Sequence, residues 1–415
     1  MISYHEALML LLDQQYRLNI ECINLIDSLG RVLGEDLYAP ISLPSYDNSA
    51  MDGYSLVAEE TQDASEDNPI WFIQSACIGA GEFLKKTTHA PKSTVEIMTG
   101  APVPHPFNAV IPVEKTLRNN SQAPQMIGIT HALSVGENIR YSGEDIYKNT
   151  FLLAKGEEIN SQRIMTLSGL GFQQIPVFKK VKILVLATGK EVVIDGTIDT
   201  RFQLHDCNTP FLQTSLLNDL KCEVTTDHLF CDTDDEFITL INKQLNHVNC
   251  PNIIISTGAV SAGKYDFIPR SLRTMGAKII FHKVAIRPGK PILFAVFPNG
   301  TFYFGLPGNP SAVAAGFRFF VYPLFRLLQK MPAEKPIFAK LKQTTILKAP
   351  LCFFQKAYHY IDDNGCSCVD ILPGQASFMI SPMLKANAWV LINQTPSTIE
   401  KDTLVPVYLM RLIKI

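Results

Sequence analysis

Apolar positions change their spacing several times along this chain, and each change predicts a different kind of element. Near the start they recur at helical intervals. Residues 7–12 form an apolar run flanked by Glu6 and Asp13, with no basic leader, which predicts an amphipathic helix and not a secretory signal. By about residue 45 that spacing has given way to a short extended piece ending at Pro44. Residues 46–147 are rich in Gly, Pro and Thr and carry short apolar runs at 70–73, 109–113 and 125–129, which predict strands without a long helix. Helical spacing returns over 160–168 and is closed by Gly169 and Gly171. After Val181 strand and helix alternate: KILVLA, a helix over 209–220, CEVTTDHLF, a helix over 234–245, then NIIIST. Such alternation predicts βαβ units and a parallel sheet. Past Pro332 the chain returns to strands and turns. The fold expected is an α/β multidomain protein: an N-terminal mixed domain (1–45 plus 148–178), a β-rich inserted domain (46–147), a central α/β domain (179–330) and a C-terminal β domain (331–415).

Composition narrows the function classes. The 415 residues are 47% hydrophobic, enough for two to four domains with their own cores. With 37 basic against 39 acidic residues and no long run of one sign, neither nucleic acid nor membrane is expected as a partner. The longest apolar stretch, 312–325, is broken by Arg318 and Pro323 and falls short of the roughly 20 residues a bilayer span needs. Nine scattered cysteines without a CxxC pair predict reduced thiols in a cytoplasmic protein. Cys366 and Cys368, beside Gly365, read as part of a hairpin.

The residues with chemical potential lie at the predicted ends of elements, where open α/β sheets bind ligands. IIISTGAVSAGKYD (253–266) is a bare β-branched run that empties into small residues. Ser256, Gly258, Ser261 and Gly263 keep side chains short, so main-chain N–H groups can approach an oxyanion, and Asp266 adds a carboxylate at the rim. An ordinary strand-to-helix turn fits that segment equally well. Glu191 holds the matching position after KILVLA. GLPGNPS (305–311) opens a helix over 312–320, and Ser311 near its N-cap would let the helix start hold an anion. Lys283, Arg287 and Lys290 place three cations in eight residues. On an extended chain Lys283 and Arg287 share a face, and the Pro-Gly turn returns Lys290 toward them, as suits a polyanion; a solvated strand with a tight turn is the alternative. SYDNSAMDGY (45–54) packs Asp47, Asn48, Ser49 and Asp52 into a segment without room for a core, although Asx-turns use the same residue types. Thr99 precedes a rigid turn. Arg140 and Asp145 fit either a site or an internal ion pair.

Taken in order, SYDNSAMDGY (45–54), MTGAPVP (98–104), NIRYSGEDI (138–146), ATGKEVV (187–193), STGAVSAGKYDF (256–267), HKVAIRPGKP (282–291) and GLPGNPSA (305–312) resemble the MoeA family of molybdopterin molybdenumtransferases, which includes the gephyrin E domain. The resemblance implies insertion of molybdenum into adenylylated molybdopterin with release of AMP, a MogA-like central domain that binds molybdopterin, and a homodimer whose magnesium-dependent site lies between the α/β domain of one subunit and the inserted domain of the other. It implies Asp52, Thr99, Asp145, Glu191, Asp232 and Asp266 as catalytic residues, with Glu191 and Asp266 as Mg2+ ligands. Arg140, Ser256, Gly258, Ser261, Gly263, Lys283, Arg287, Lys290, Pro307, Gly308, Asn309, Pro310 and Ser311 are implied to bind adenylylated molybdopterin and molybdate. A transient contact with the adenylyltransferase and other cofactor-synthesis proteins follows from the same resemblance. Lys190 stands where the family usually has an acid, Ala259 where it has a glycine that needs positive φ, Pro106-Phe107-Asn108 in place of a Gly-Ala-Asp run, and Arg287 for a common lysine. A low-activity paralogue or a gephyrin-like scaffold is the alternative reading.

Overall fold

The computed structural model describes residues 1–82, 90–119, 125–193, 203–229, 233–260, 267–347, 350–393 and 398–410. The first helix, α1 (Tyr4–Leu12), begins at Ser3, whose hydroxyl accepts from the Glu6 N–H while the Glu6 carboxylate accepts from the Ser3 N–H. This capping box satisfies two donors that the helix start leaves orphaned. Ala7 and Leu11, one turn apart, are buried, whereas Met9, Leu10 and Leu12 face solvent, so the outer face of the helix carries apolar side chains as well and is less amphipathic than expected. Strand Ile20–Asn24 pairs antiparallel with Gln174–Phe178, and the helix Ser161–Gly169 near it starts at Asn160, whose side chain accepts from the Arg163 N–H.

Between these segments lies a six-stranded sheet in the order Ala109–Pro112, Gly53–Leu56, Ser93–Ile97, Ile70–Ile78, Met126–Ile129, Thr116–Asn119. It has its own core around Tyr54, Phe72, Ile97, Ile111 and Ile127. The run predicted at 70–73 continues to Ile78, with a register shift between Gln74 and Ala76.

The central sheet is built from β1 (Lys182–Thr188), β2 (Glu223–Leu229), β3 (Ile253–Thr257), β4 (Lys278–His282), β5 (Leu293–Val296) and β6 (Phe302–Leu306) in the order β2-β1-β3-β6-β5-β4. Its first four strands run parallel, and β3 is buried at every residue, which explains why 253–257 shows no polar alternation. The sheet is mixed, however, not wholly parallel. β5 and β6 are joined by a tight turn in which the Phe297 N–H meets the Thr301 carbonyl at 2.9 Å, and so short a link permits only an antiparallel pair. β4 pairs antiparallel with β5 in turn.

Helices α2 (Asn208–Thr214), α3 (Asp234–Leu245) and α4 (Ile268–Thr274) follow strands, and α2 passes into a wider turn over Ser215–Asp219. After β6, α5 (Pro310–Gly316) runs on through a wider turn at Phe317–Val321 to Leu328. This helical run of 19 residues is long and apolar enough to cross a membrane despite Arg318 and Pro323, but most of it is buried inside the protein. Arg318, 3% exposed, forks onto Glu334 at 2.8 and 2.6 Å and donates from Nε to the Leu409 carbonyl. Its guanidinium also lies 5.0 Å from the Tyr322 ring centre and 5.3 Å from that of Tyr408. These bonds tie the helix to the C-terminal strands.

Those strands close on themselves. Cys352–Ile361, Ser367–Ile371, Ile337–Leu341, Leu404–Leu409 and Ala388–Ile392 pair successively, and the last pairs back with the first. Cys366 and Cys368 fall in the expected hairpin, with Gly365 at φ +75° in its turn. The two-residue strand Ile286–Arg287 pairs parallel with Cys352 and Phe353, so the cationic segment is stitched to this barrel.

Candidate functional site

A cleft of about 700 Å³ opens past the C-terminal ends of β1 and β3, as the switch-point rule for α/β sheets predicts. Two crossings hold its floor. Thr188 Oγ1 donates to the Thr257 carbonyl at 2.7 Å, and the Gly258 N–H donates to the Leu306 carbonyl at 2.9 Å. Gly258 lies at φ +93°, and a Cβ there would stand 2.7 Å from Thr188 Oγ1. Backbone approach this close admits only glycine. Ala259 follows at φ +52°, so the positive φ expected where the family keeps a glycine is present although the residue is alanine. Ser256 does not reach the cleft. It is fully buried within β3, and its Oγ accepts from the Tyr303 hydroxyl at 2.6 Å.

Of the residues expected in the site, Glu191, Gly258, Gly308, Asn309 and Pro310 line the cleft, while Pro307 is buried behind it. The turn at 206–208 also lines it, and sequence reasoning missed it. Asp206 Oδ1 accepts from the N–H groups of Asn208 and Thr209 at 2.9 and 3.1 Å, which caps α2, and Asn208 Nδ2 donates to the Gly308 carbonyl at 2.9 Å. Asp206 Oδ2 is buried without a hydrogen-bond partner among the described residues. The signal available was an Asp directly before a helix, next to an Asn that can bridge to another loop. Burial, with Asp206 nearby, pushes the Cys207 thiol above its usual range.

Glu191 and Asp206 thus put two carboxylates on the cleft wall, and oxygen-only donors suit a hard divalent cation that keeps waters and substrate phosphate in its shell. Among the described residues no group of three or more His, Cys, Asp or Glu side chains forms a ready metal cage. Asp232, Ser261, Gly263 and Asp266 lie outside the described residues.

Ser311 does not offer an anion site. It is fully buried, its N–H donates to the Ser377 carbonyl at 3.1 Å and its hydroxyl to the Met379 carbonyl at 3.0 Å. The next two N–H groups of the helix reach Asn309, and Pro310 has none to give. The helix start is therefore spent on protein oxygens. Lys356 completes this knot: 1% exposed, its ammonium donates to Ser311 Oγ at 3.0 Å, to the Met379 carbonyl at 2.9 Å and to the Ala376 carbonyl at 3.4 Å. Desolvation holds its pKa below the usual lysine range.

The cationic segment is bent at its first member. Lys283 has φ +68°, so period-2 alternation does not carry from it to Arg287. The Pro-Gly turn does fold back, since the Val284 N–H donates to the Lys290 carbonyl at 2.9 Å. Arg287 and Lys290 are exposed, Lys283 is half-buried, and none of the three has an ion-pair partner among the described residues. They do not line the cleft itself.

On the inserted sheet, Asp52 and Thr99 meet. Asp52 Oδ1 accepts from the Thr99 N–H at 2.7 Å and from its hydroxyl at 2.8 Å, and these bonds hold the exposed carboxyl below the usual carboxylate range. Gly53 places Asp52 there, because a Cβ on it would stand 1.9 Å from the Ile111 carbonyl oxygen. Asn48 and Ser49 are buried, and Ser49 donates to the Met51 carbonyl in a turn, so both readings of 45–54 apply to different residues. Arg140, paired opposite Asn48, and Asp145 are exposed, and no ion pair joins them. Asp52, Thr99, Arg140 and Asp145 line no part of the 700 Å³ cleft.

Comparison with known proteins gives a consistent likeness. The family model for the MoeA N-terminal region (domain I and II) matches residues 2–171, and that for a probable molybdopterin binding domain matches 184–327. The chain is 32% identical over 397 residues to the molybdopterin molybdenumtransferase of Synechococcus elongatus, covering 94% of this chain and 95% of that protein. It is 31% identical over 398 residues to that of Haemophilus influenzae, with 95% of each covered. The crystal structure of the molybdopterin biosynthesis moea protein from Pyrococcus horikosii superimposes with a TM-score of 0.83 at 27% identity, covering 99% of both chains.

Proposed function

We infer the reaction from kinship: this chain belongs to the MoeA family and is a molybdopterin molybdenumtransferase, inserting molybdenum in molybdenum cofactor biosynthesis. Our proposal is that the substrate is adenylylated molybdopterin, that molybdate supplies the metal, and that AMP leaves. The observation that carries this reading is the cleft past β1 and β3, where the small-residue loop, Glu191 and the Gly308–Asn309–Pro310 loop converge. Small side chains leave the cleft open to a phosphate, and the exposed Arg287 and Lys290, without carboxylate partners among the described residues, add positive potential outside it. Asn208 holds the Gly308 carbonyl and so fixes the far wall.

Glu191 and Asp266, with Asp206, are proposed to hold Mg2+, which when bound neutralises phosphate charge and polarises the anhydride. Asp52 and Thr99 lie at the ends of inserted-sheet strands, Arg140 lies in the short pair with Asn48, and none of these or Asp145 lines their own chain's cleft, which supports a homodimer in which the inserted domain of one copy closes the cleft of the other. An activated anhydride is best passed directly, so a transient contact with the adenylyltransferase belongs to this reading. Nine cysteines scattered along the chain without a CxxC pair support a reducing, cytoplasmic setting.

The test is AMP release from adenylylated molybdopterin with molybdate and Mg2+, followed before and after chelation. Asp266→Asn is expected to abolish Mg2+-dependent release while the protein stays folded. Undiminished release by that variant would remove Asp266 from the metal site.

A further inference from the structure

Phe378 is the one phenyl ring among the described residues that line the cleft, and it is 69% exposed. Exposure of one apolar side chain is ordinary, but an aromatic ring among mostly polar and small lining residues offers a planar ligand a surface to stack on. Its position is fixed from below. The segment around it is bonded to the start of α5 through Ser377, whose carbonyl accepts from Ser311, and through Met379, whose carbonyl takes both the Ser311 hydroxyl and the buried Lys356 ammonium. The Met379 N–H closes the turn onto the Ala376 carbonyl at 3.0 Å. Burying a lysine without a carboxylate is costly, and here two of its three hydrogen bonds go to Ala376 and Met379, which bracket the exposed ring, and the third goes to Ser311.

We propose that Phe378 is a substrate-binding residue that stacks on a planar heteroaromatic ring of the substrate, with Lys356 and Ser311 holding its loop in place. This rests on the function proposed above, whose substrate carries two such rings, an adenine and a pterin. Stacking on an aromatic side chain tolerates either ring, because each has a π face.

Binding of AMP and of free pterin to the full-length protein, each followed by calorimetry, separates the two sources. Phe378→Leu keeps an apolar side chain and removes the ring; about a tenfold weakening for one of the two probes, or about 1.4 kcal/mol, is expected. Phe378→Trp should restore binding of that same probe. Unchanged affinity of Phe378→Leu for both probes, or a loss that Phe378→Trp does not restore, overturns the stacking role. A wild-type protein that binds neither probe and releases no AMP overturns the proposed function and this inference with it, whereas binding that ignores Phe378 overturns only the latter.

Discussion

Replacing Gly258 by alanine probes the cleft floor with a single methyl group. At φ +93° an L side chain is strained, which costs about 1–2 kcal/mol. The added Cβ would also stand 2.7 Å from Thr188 Oγ1, so that hydroxyl must turn away and forfeit its bond to the Thr257 carbonyl, worth about 1 kcal/mol. Alanine restricts the unfolded chain more than glycine does, which returns roughly 0.5 kcal/mol. The net expectation is a loss of about 2 kcal/mol in urea unfolding, together with weaker AMP binding. Ala259→Gly is the matched control. It removes strain at φ +52° but loosens the unfolded chain, so it should change stability by less than about 0.5 kcal/mol. Equal and small effects at both positions would refute the claim that close approach to Thr188, beyond the sign of φ, dictates glycine at 258.

Arg318→Met should lower stability by about 3 kcal/mol, the lower end for a broken buried pair, because Glu334 is partly exposed and regains some hydration. Urea unfolding measures this, and adding Glu334→Gln should recover part of the loss. Alkaline pH should destabilise the protein in a defined window. Burial pushes the Cys352 thiol up to about 12, so its contribution is complete below roughly pH 8.5, the unfolded value, and is lost as pH rises toward the folded one. Denaturation midpoints between those limits should fall less steeply for Cys352→Ala than for the wild type. Asn208→Ala removes the bond to the Gly308 carbonyl and should raise the KM for adenylylated molybdopterin more than it lowers kcat; steady-state kinetics check this.

What could be read from the chain was what depends on near neighbours. The unbroken Ile253–Ile255 run announced a strand covered on both faces, and GLPGNPS announced a helix start, because both signals are local. Ser311 shows where such signals stop. Its place near the cap was legible, but the carbonyls of Ser377 and Met379 that take its N–H and hydroxyl arrive from the C-terminal strands. Lys356 gave no sign at all, since its burial results from barrel closure and an isolated QKAY reads as an ordinary strand. Lys283 misled for a different reason: alternation presumes extended backbone, and its positive φ breaks that premise. The antiparallel β5–β6 pair was equally hidden, because a reading built on alternating strand and helix has no place for two strands joined by a tight turn. Asp206 was passed over because its second oxygen matters only once α2 is seen to place it on the cleft.

The account depends most on a cleft shared between two copies, and subunit complementation measures that directly. Asp52→Asn and Glu191→Gln proteins, each inactive alone, are unfolded together and reassembled, and AMP release from adenylylated molybdopterin is followed in the mixed dimer. A cleft completed by the partner's inserted sheet regains one intact site per mixed dimer, so activity returns. Continued silence in mixed dimers of verified composition would contradict the shared site.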